Sequence, residues 1–371
     1  MALRITDITL RDFRSYEAEA FNGLGQLVVL VGPNAVGKTN AIEAVQLLTA
    51  LTTFRHAPAA QLLRHGQSAA RLSCSATDGN RLIEVSLSIG ETRRYQLNGK
   101  AKRPADLKGL LPSVTFTPDD LGLVKGPQSG RRRALDALGS QLNKNYYLIR
   151  RDYEKVLRHK NRLLKDQADE ALVAALDEMV VTCGAQLTAY RAALFGKLAE
   201  AMAAAYGRIS GGEQLACRFA PSWAVGTESA EDAEGAAPPT RDGAKEQLAR
   251  ALERRRGEER ARARALVGPQ GDAIGFSIDG MAADLYGSQG QQRSLVLAWK
   301  LAEAQVIDDM LGTKPVLLLD DVMSELDGAR REALVDYIAG DVQAFVTTAN
   351  LDYFDDRMRE AAQVIALPRE P

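Results

Sequence analysis

Eight residues carry the most explicit chemistry in this chain. Gly32-Pro33-Asn34-Ala35-Val36-Gly37-Lys38-Thr39 matches the pattern G-x-x-x-x-G-K-[ST] in full. Glycines at those places let backbone N–H groups turn inward and cradle phosphate oxygens. In such a loop Lys38 reaches the β- and γ-phosphates of ATP, and the Thr39 hydroxyl sits on Mg²⁺. Asn40 follows at the start of the next element. A second acid-bearing segment is Val316-Leu317-Leu318-Leu319-Asp320-Asp321. Four apolar residues and then an acid describe a buried strand that delivers a carboxylate at its C-terminal end, where ligands sit in open α/β sheets. Asp320 is then a Mg²⁺ ligand, directly or through water, and Asp321 is placed to polarise an attacking water as general base. Just upstream, Tyr286-Gly287-Ser288-Gln289-Gly290-Gln291-Gln292-Arg293 precedes a helical run. Ser288, Gly290 and Gln291 thus stand at a helix N-terminus, an end that suits a phosphate.

These groups need elements to position them. Gln26 to Val31 is a short apolar run of the kind found in buried parallel strands. Asn40 to Leu51 has apolar residues at Ile42, Val45, Leu48 and Leu51, a helical spacing. The pattern predicts strands at Ile5, Ile8–Leu10 and Phe13–Tyr16, and β-like alternation from Arg71 to Leu97 with a turn at Asn98-Gly99. Further strands are expected at Val114–Thr117, Ala273–Asp279 and Pro315–Leu319. From Arg131 to Tyr206 the chain is rich in Ala, Leu, Arg, Lys and Glu, which predicts two or three helices punctuated by Gly139, Gly184 and Gly196. Val225 to Ala244 reads as an acidic mobile loop, and Lys245 to Ala265 as helix again.

Composition narrows the class. A chain of 371 residues suits two domains or lobes. The formal net charge of −1 supplies no global basic field, so any DNA contact has to come from local patches. Candidates are Arg131, Arg132 and Arg133, then Arg150 and Arg151, Arg158 to Arg162 and Arg254 to Arg256; a solvated helix face gives the same charge runs. Three separated cysteines make no disulfide framework or metal spacing. Three histidines speak against a zinc site or a Ser-His-Asp triad. The charged first residues do not resemble a signal peptide, and no apolar run approaches the roughly 20 residues of a membrane helix. The expectation is a cytoplasmic protein with no membrane association.

Phosphate loop, Ser-x-Gly-Gln cluster, acidic strand and Ser324-Glu325-Leu326-Asp327 occur in the order of an ABC-type ATPase head; the second resembles its signature and the fourth its D-loop. Leu10-Arg11-Asp12-Phe13-Arg14-Ser15-Tyr16 and Gly32-Pro33-Asn34-Ala35 resemble the SMC, Rad50 and RecF group. Phe116-Thr117-Pro118-Asp119-Asp120-Leu121, Val124-Lys125-Gly126-Pro127 and Arg131-Arg132-Arg133-Ala134-Leu135-Asp136 extend the resemblance to the RecF family along essentially the whole chain. The resemblance implies an α/β fold. Its ABC-type P-loop head is built from both chain ends (1–120 and 268–371), with a mainly helical second lobe (121–267) inserted between them. The inserted helices read as short and broken by glycines, so no long coiled coil is expected. The resemblance further implies ATP and Mg²⁺ as cofactors and an ATP-dependent homodimer in which Ser288 and Gly290 act in trans. Double-stranded DNA, single/double-strand junctions and a RecR-like protein are the implied partners, with slow, DNA-stimulated ATP turnover acting as a switch. Arg14 is a further candidate for nucleotide contact.

Two departures stand out. Gly268-Pro269-Gln270-Gly271-Asp272 replaces the family's Gly-Pro-His-Arg-Asp, and Thr53-Phe54-Arg55-His56-Ala57 matches its counterpart only loosely. No histidine follows His159, so Phe345-Val346-Thr347-Thr348-Ala349-Asn350 takes the place of a switch histidine, with Thr347 or Thr348 as the candidate γ-phosphate contact. Two other readings are an interaction module that never turns ATP over and the ATPase subunit of a transporter. The missing histidine and the Phe13-Arg14-Ser15-Tyr16 opening speak against the transporter.

Overall fold

A computed structural model describes residues 3–224 and 239–367. It separates into two compact units, Met1–Asp120 with Val296–Pro371, and Leu121–Leu295.

The first unit holds two sheets. One is antiparallel, in the order β2-β1-β4-β5-β6-β7. Its strands are β1 (Arg4–Phe13), β2 (Tyr16–Phe21), β4 (Ala70–Thr77), β5 (Leu82–Ile89), β6 (Arg93–Leu97) and β7 (Lys100–Lys102). The segment Phe13–Tyr16, expected as strand, is instead the tight connection of the β1–β2 hairpin. Arg14 adopts φ +53° there, a left-handed conformation that a strand does not allow. The second sheet is parallel throughout, in the order β14-β3-β13-β12-β8. It comprises β3 (Leu27–Val31), β8 (Ser113–Phe116), β12 (Val316–Asp320), β13 (Ala344–Thr348) and β14 (Ala362–Ala366). Its strands come from both chain ends. Leu317, Leu318, Val346 and Val28 are fully buried, as continuous apolar runs in a sheet covered on both faces should be. Helix α1 (Lys38–Thr49) packs between the two sheets and buries Ile42, Val45 and Leu48. Gln343 ties them together: Ile5 N donates to its Oε1 at 2.8 Å, and its Nε2 donates to Ile5 O at 2.8 Å.

The second unit is mainly helical. Helices α2 (Gln128–Leu142), α3 (Lys144–Lys165), α4 (Glu170–Ser210) and α5 (Arg241–Ala261) pack beside a small sheet of β9 (Leu215–Ala220), β10 (Ala273–Ile278) and β11 (Met281–Ala282). Because β10 pairs with β9 over its whole length, this unit reaches to Leu295, past the expected boundary at 267. The expected glycine breaks are absent. Gly139 lies inside α2, while α4 runs unbroken through Gly184 and Gly196 for 41 residues, about 60 Å. Gly184 is a packing residue: a Cβ there would lie 2.9 Å from Leu248 and 3.2 Å from Tyr153. The inserted helices are therefore not short, yet nothing among the described residues forms a long coiled coil. Of the expected loop 225–244, residues 225–238 lie outside the described residues. Arg241 to Ala244 begin α5, which Thr240 caps through the Gly243 N–H.

By length and composition α4 is the one described helix apolar enough to cross a membrane. Mid-helix it carries Arg191, which is buried and paired. Asp136 takes the guanidinium at 2.9 and 2.7 Å, and Asp272 takes its third face at 3.0 Å. Burial opposes the Arg191 charge, but the two carboxylates outweigh it and hold the group firmly protonated. Helices α3 and α5 pack along α4, which buries Leu176, Val180, Leu187, Phe195, Leu198 and Met202 in the core of this unit.

Candidate nucleotide site

The parallel register sets the site. Leu30, Thr347 and Asp320 are neighbours across β3, β13 and β12, so the phosphate loop, Thr347 and the acid emerge at one carboxyl edge. The loop leaves β3 at Val31 and enters α1 at Lys38. Gly32 and Gly37 have little alternative. A Cβ on Gly32 would lie 2.1 Å from the Leu367 carbonyl, while Gly37 adopts φ +113° with Ser15 Oγ 2.9 Å from where its Cβ would be. Ala35 also takes a left-handed φ, +67°. Lys38 is buried along its stem, and its Nζ donates to Gly32 O at 2.6 Å and Pro33 O at 2.8 Å, arching over the loop. Pro33, Asn34 and Ala35 are exposed and Val36 is half-buried.

Thr39 and Asp320, 281 positions apart in sequence, meet here. The Thr39 hydroxyl donates to Asp320 Oδ1 at 2.9 Å, and the Thr347 hydroxyl donates to the same oxygen at 2.8 Å. Burial raises the Asp320 carboxyl above its ordinary range; the two hydroxyls and the Arg55 charge pull it back toward ionisation. A hydroxyl and a carboxylate are hard oxygen donors. Their contact fits Mg²⁺, which keeps several waters and takes only one or two protein ligands. Asp321 follows at φ +54°, uncommon for a residue with a side chain, and its N–H is fixed by Thr347 Oγ1 at 2.9 Å. Strained backbone of this kind concentrates at functional sites. Thr347 is thus spent on the two acids and does not reach for a phosphate, and the Thr348 hydroxyl goes to Asn350 O at 2.7 Å.

Arg14, expected at the nucleotide, is instead held on Glu43, which is fully buried, by two hydrogen bonds of 2.9 Å. Glu43 also receives the Thr53 hydroxyl and pairs with Arg55 at 3.5 Å. Arg55 donates to Asn40 Oδ1 at 3.0 Å, and Asn40 Nδ2 donates to Ser15 Oγ at 3.0 Å. Sequence reasoning passed over Arg55 and Glu43. Their signal is weak: a glutamate on an apolar helix face, and an arginine in a loop.

The Ser288 cluster opens helix α6 (Gln289–Leu311) with a reciprocal cap. Ser288 Oγ accepts from Gln291 N at 3.1 Å, and Gln291 Oε1 accepts from Ser288 N at 2.8 Å. The Gln291 amide also donates to Glu213 at 2.8 Å, so both of its ends are committed within the protein and its expected role at the nucleotide becomes a structural one. Ser288 is exposed and Gly290 half-buried. Further on, Asp327 caps α7 (Gly328–Ala339) through the Arg330 N–H.

The basic clusters divide. Arg131 is withdrawn from the DNA candidates: its side chain is 3% exposed, and it donates to the carbonyls of Leu123, Val124 and Ile274. Burial lowers its pKa from the ordinary arginine value. Arg132 is half-buried and bound to Asp272 O, while Arg133 is exposed. Arg150 pairs with Glu154 and exposed Arg151 with Asp152. Lys160, inside the third cluster, is buried between Asp177 and Glu259. Among the described residues no group of three or more His, Cys, Asp or Glu could hold a metal ion.

A parallel sheet from both chain ends, a phosphate loop on one strand and an acid in contact with its threonine on another define an ABC-type ATPase head. Comparison with known proteins agrees. The RecF/RecN/SMC N terminal domain model matches residues 4–367. The DNA replication and repair protein RecF of Symbiobacterium thermophilum is 38% identical over 94% of this chain and 92% of its own. That of Geobacillus kaustophilus is 35% identical over 96% of each. A solved structure of the recombination mediator protein RecF-ATP in the RecFOR pathway superposes with a TM-score of 0.83 at 26% identity, covering 95% and 94% of the two chains. The Smc head domain of Pyrococcus furiosus, at 14% identity and a TM-score of 0.51, shares the fold. The chain belongs to the RecF family.

Proposed function

We propose that this protein is an ATP-gated DNA-binding protein of recombinational gap repair in the cytoplasm. The observation that carries the reading is the meeting of Thr39, Asp320 and Thr347 at the mouth of the phosphate loop. When bound, ATP and Mg²⁺ supply the phosphoryl bond to be hydrolysed and the charge that the site has to balance. Lys38 exchanges its loop carbonyls for the β- and γ-phosphates. Thr39 and Asp320 would hold the cation. Asp321 takes a proton from the attacking water at its carboxylate. Ser288 and Gly290 of a second copy close over the nucleotide, so ATP binding favours the dimer by mass action and hydrolysis withdraws that contribution. The closed dimer grips duplex DNA or a gap junction, and slow hydrolysis releases it. A RecR-like protein is the partner through which it assists recombinase loading. The RecF relatives and the RecF-ATP likeness support this reading.

Asp321→Asn tests it. The variant is expected to bind ATP and dimerise as the parent does, while its steady-state ATPase falls by about 10²- to 10⁴-fold, the usual range for a lost general base. Unaltered turnover would remove Asp321 from the mechanism. If the parent also turns over no ATP, with or without duplex DNA, the protein is an interaction module and not a switch.

A further inference from the structure

We propose that the solvent face of the antiparallel sheet is a contact surface for the phosphate backbone of nucleic acid, centred on Arg11, Arg71 and Arg94. The proposal rests on the DNA-binding reading above and assigns it a surface.

The strand register creates the arrangement. Arg11 of β1 pairs with Arg71 of β4, Arg71 with Ser88 of β5, and Ser88 with Arg94 of β6. The inner face of these strands is apolar, with Leu10, Leu72, Leu87 and Tyr95 all buried. The three arginines lie on the opposite face in one row, and all three are exposed. At roughly 4.8 Å per strand the row spans about 14 Å from Arg11 to Arg94. None of the three side chains makes a hydrogen bond or an ion pair with any described residue. Most other arginines of this unit do, among them Arg4, Arg14, Arg55, Arg64, Arg81 and Arg103.

Like charges directly opposite each other on adjacent strands are destabilising. Arg11 facing Arg71 is such a pair, and the row contains no acid. The next row on the same face is Thr9, Ser73, Ser86 and Gln96, uncharged hydroxyls and an amide. Acids enter only in the third row, at Asp7 and Glu84, and at exposed Glu91 in the β5–β6 turn. The face is therefore polarised, with a cationic end left uncompensated by its own protein. An external anion resolves that repulsion.

The neighbours indicate which anion. Hydroxyl and amide side chains beside arginines are the set that binds phosphate oxygens without reading sequence. A protein partner would favour aromatic or other apolar anchors at the centre of its interface. The arginine row and the row beside it have none, and the exposed apolar Leu82 lies beyond the acids, opposite Thr77.

The test is a salt series. The full chain carrying Arg11→Gln, Arg71→Gln and Arg94→Gln is compared with the parent by fluorescence anisotropy on a labelled mixed-sequence duplex, with ATP and Mg²⁺ present. Each lost phosphate contact lowers the slope of log K against log salt by about 0.9, so the triple variant should lose about 2 to 3 from that slope. Binding of a fluorescent ATP analogue should be unchanged, since none of the three side chains is bonded to a residue of the phosphate loop. A slope equal to the parent's overturns the proposal. So does an unchanged slope with lost binding to poly-glutamate, which would give the row to an acidic protein. If the parent itself binds no duplex, the DNA-binding reading fails first and this surface with it.

Discussion

Lys38→Met is expected to lower ATP turnover by at least about a hundredfold and to abolish ATP-dependent dimerisation. Methionine keeps most of the stem that Lys38 buries, so the loop retains its packing. What disappears is the ammonium that now lies 2.6 and 2.8 Å from the Gly32 and Pro33 carbonyls and is poised over the loop. Removing one preorganised charge-stabilising donor costs about 10²- to 10³-fold in rate. The measurements are steady-state ATPase and the dimer fraction by sedimentation velocity, with and without ATP. A variant that still dimerises on ATP would show that the loop does not control assembly. The nucleotide-free thermal midpoint should remain within a few degrees of the parent's, which separates a lost site from a lost fold.

The second large effect concerns stability. Arg191→Met removes the cation from a cluster that is closed to water. It leaves Asp136 and Asp272 facing each other, with Tyr146 still donating to Asp136 at 2.6 Å. Breaking one side of a buried pair costs about 3–5 kcal/mol, because the stranded charge keeps its desolvation penalty. Urea denaturation followed by circular dichroism should show that loss in the helical unit. Adding Asp136→Asn to Arg191→Met should recover part of it; a double variant less stable than the single would refute the ion-pair explanation. Asp272 closes Gly268-Pro269-Gln270-Gly271-Asp272, where this chain departs from the family pattern. Here Asp272 joins Arg191 to the Ser222 backbone N–H, and the Tyr153 hydroxyl bonds to Gln270. The segment keeps its anchor at Asp272 although the two residues before it differ.

Features that depend on local order were legible in the sequence. The phosphate loop, its strand and helix, and the acidic end of β12 follow from apolar runs and glycine spacing, and the structure places them together. Features that depend on register were not. Nothing in the local sequence around Thr347 says that β13 lies between β3 and β12, so the sequence offers Thr347 or Thr348 as a γ-phosphate contact and gives no sign of the bond from Thr347 to Asp320. Glycines misled for a related reason. Gly184 reads as a helix break, but its purpose is to let Leu248 and Tyr153 approach, which only the packed helices reveal. Arg131 reads as one of three surface arginines, although a step of two residues, about half a helical turn, puts it inward and Arg133 outward. The same limit hid the Arg11, Arg71 and Arg94 row, because the three residues come from separate strands.

The central claim is that one copy's phosphate loop works with another copy's Ser288 and Gly290. Mixing two inactive variants tests it most directly. Lys38→Met lacks a working loop and Ser288→Arg lacks a working cap, so each alone should hydrolyse almost no ATP. A mixed dimer has one doubly damaged site and one site with both parts intact. The account predicts that ATPase activity returns on mixing and rises with the concentration of mixed dimer. If Ser288→Arg alone keeps normal turnover, or if the mixture stays as inactive as its components while mixed dimers are present, the signature does not act in trans and the account is wrong.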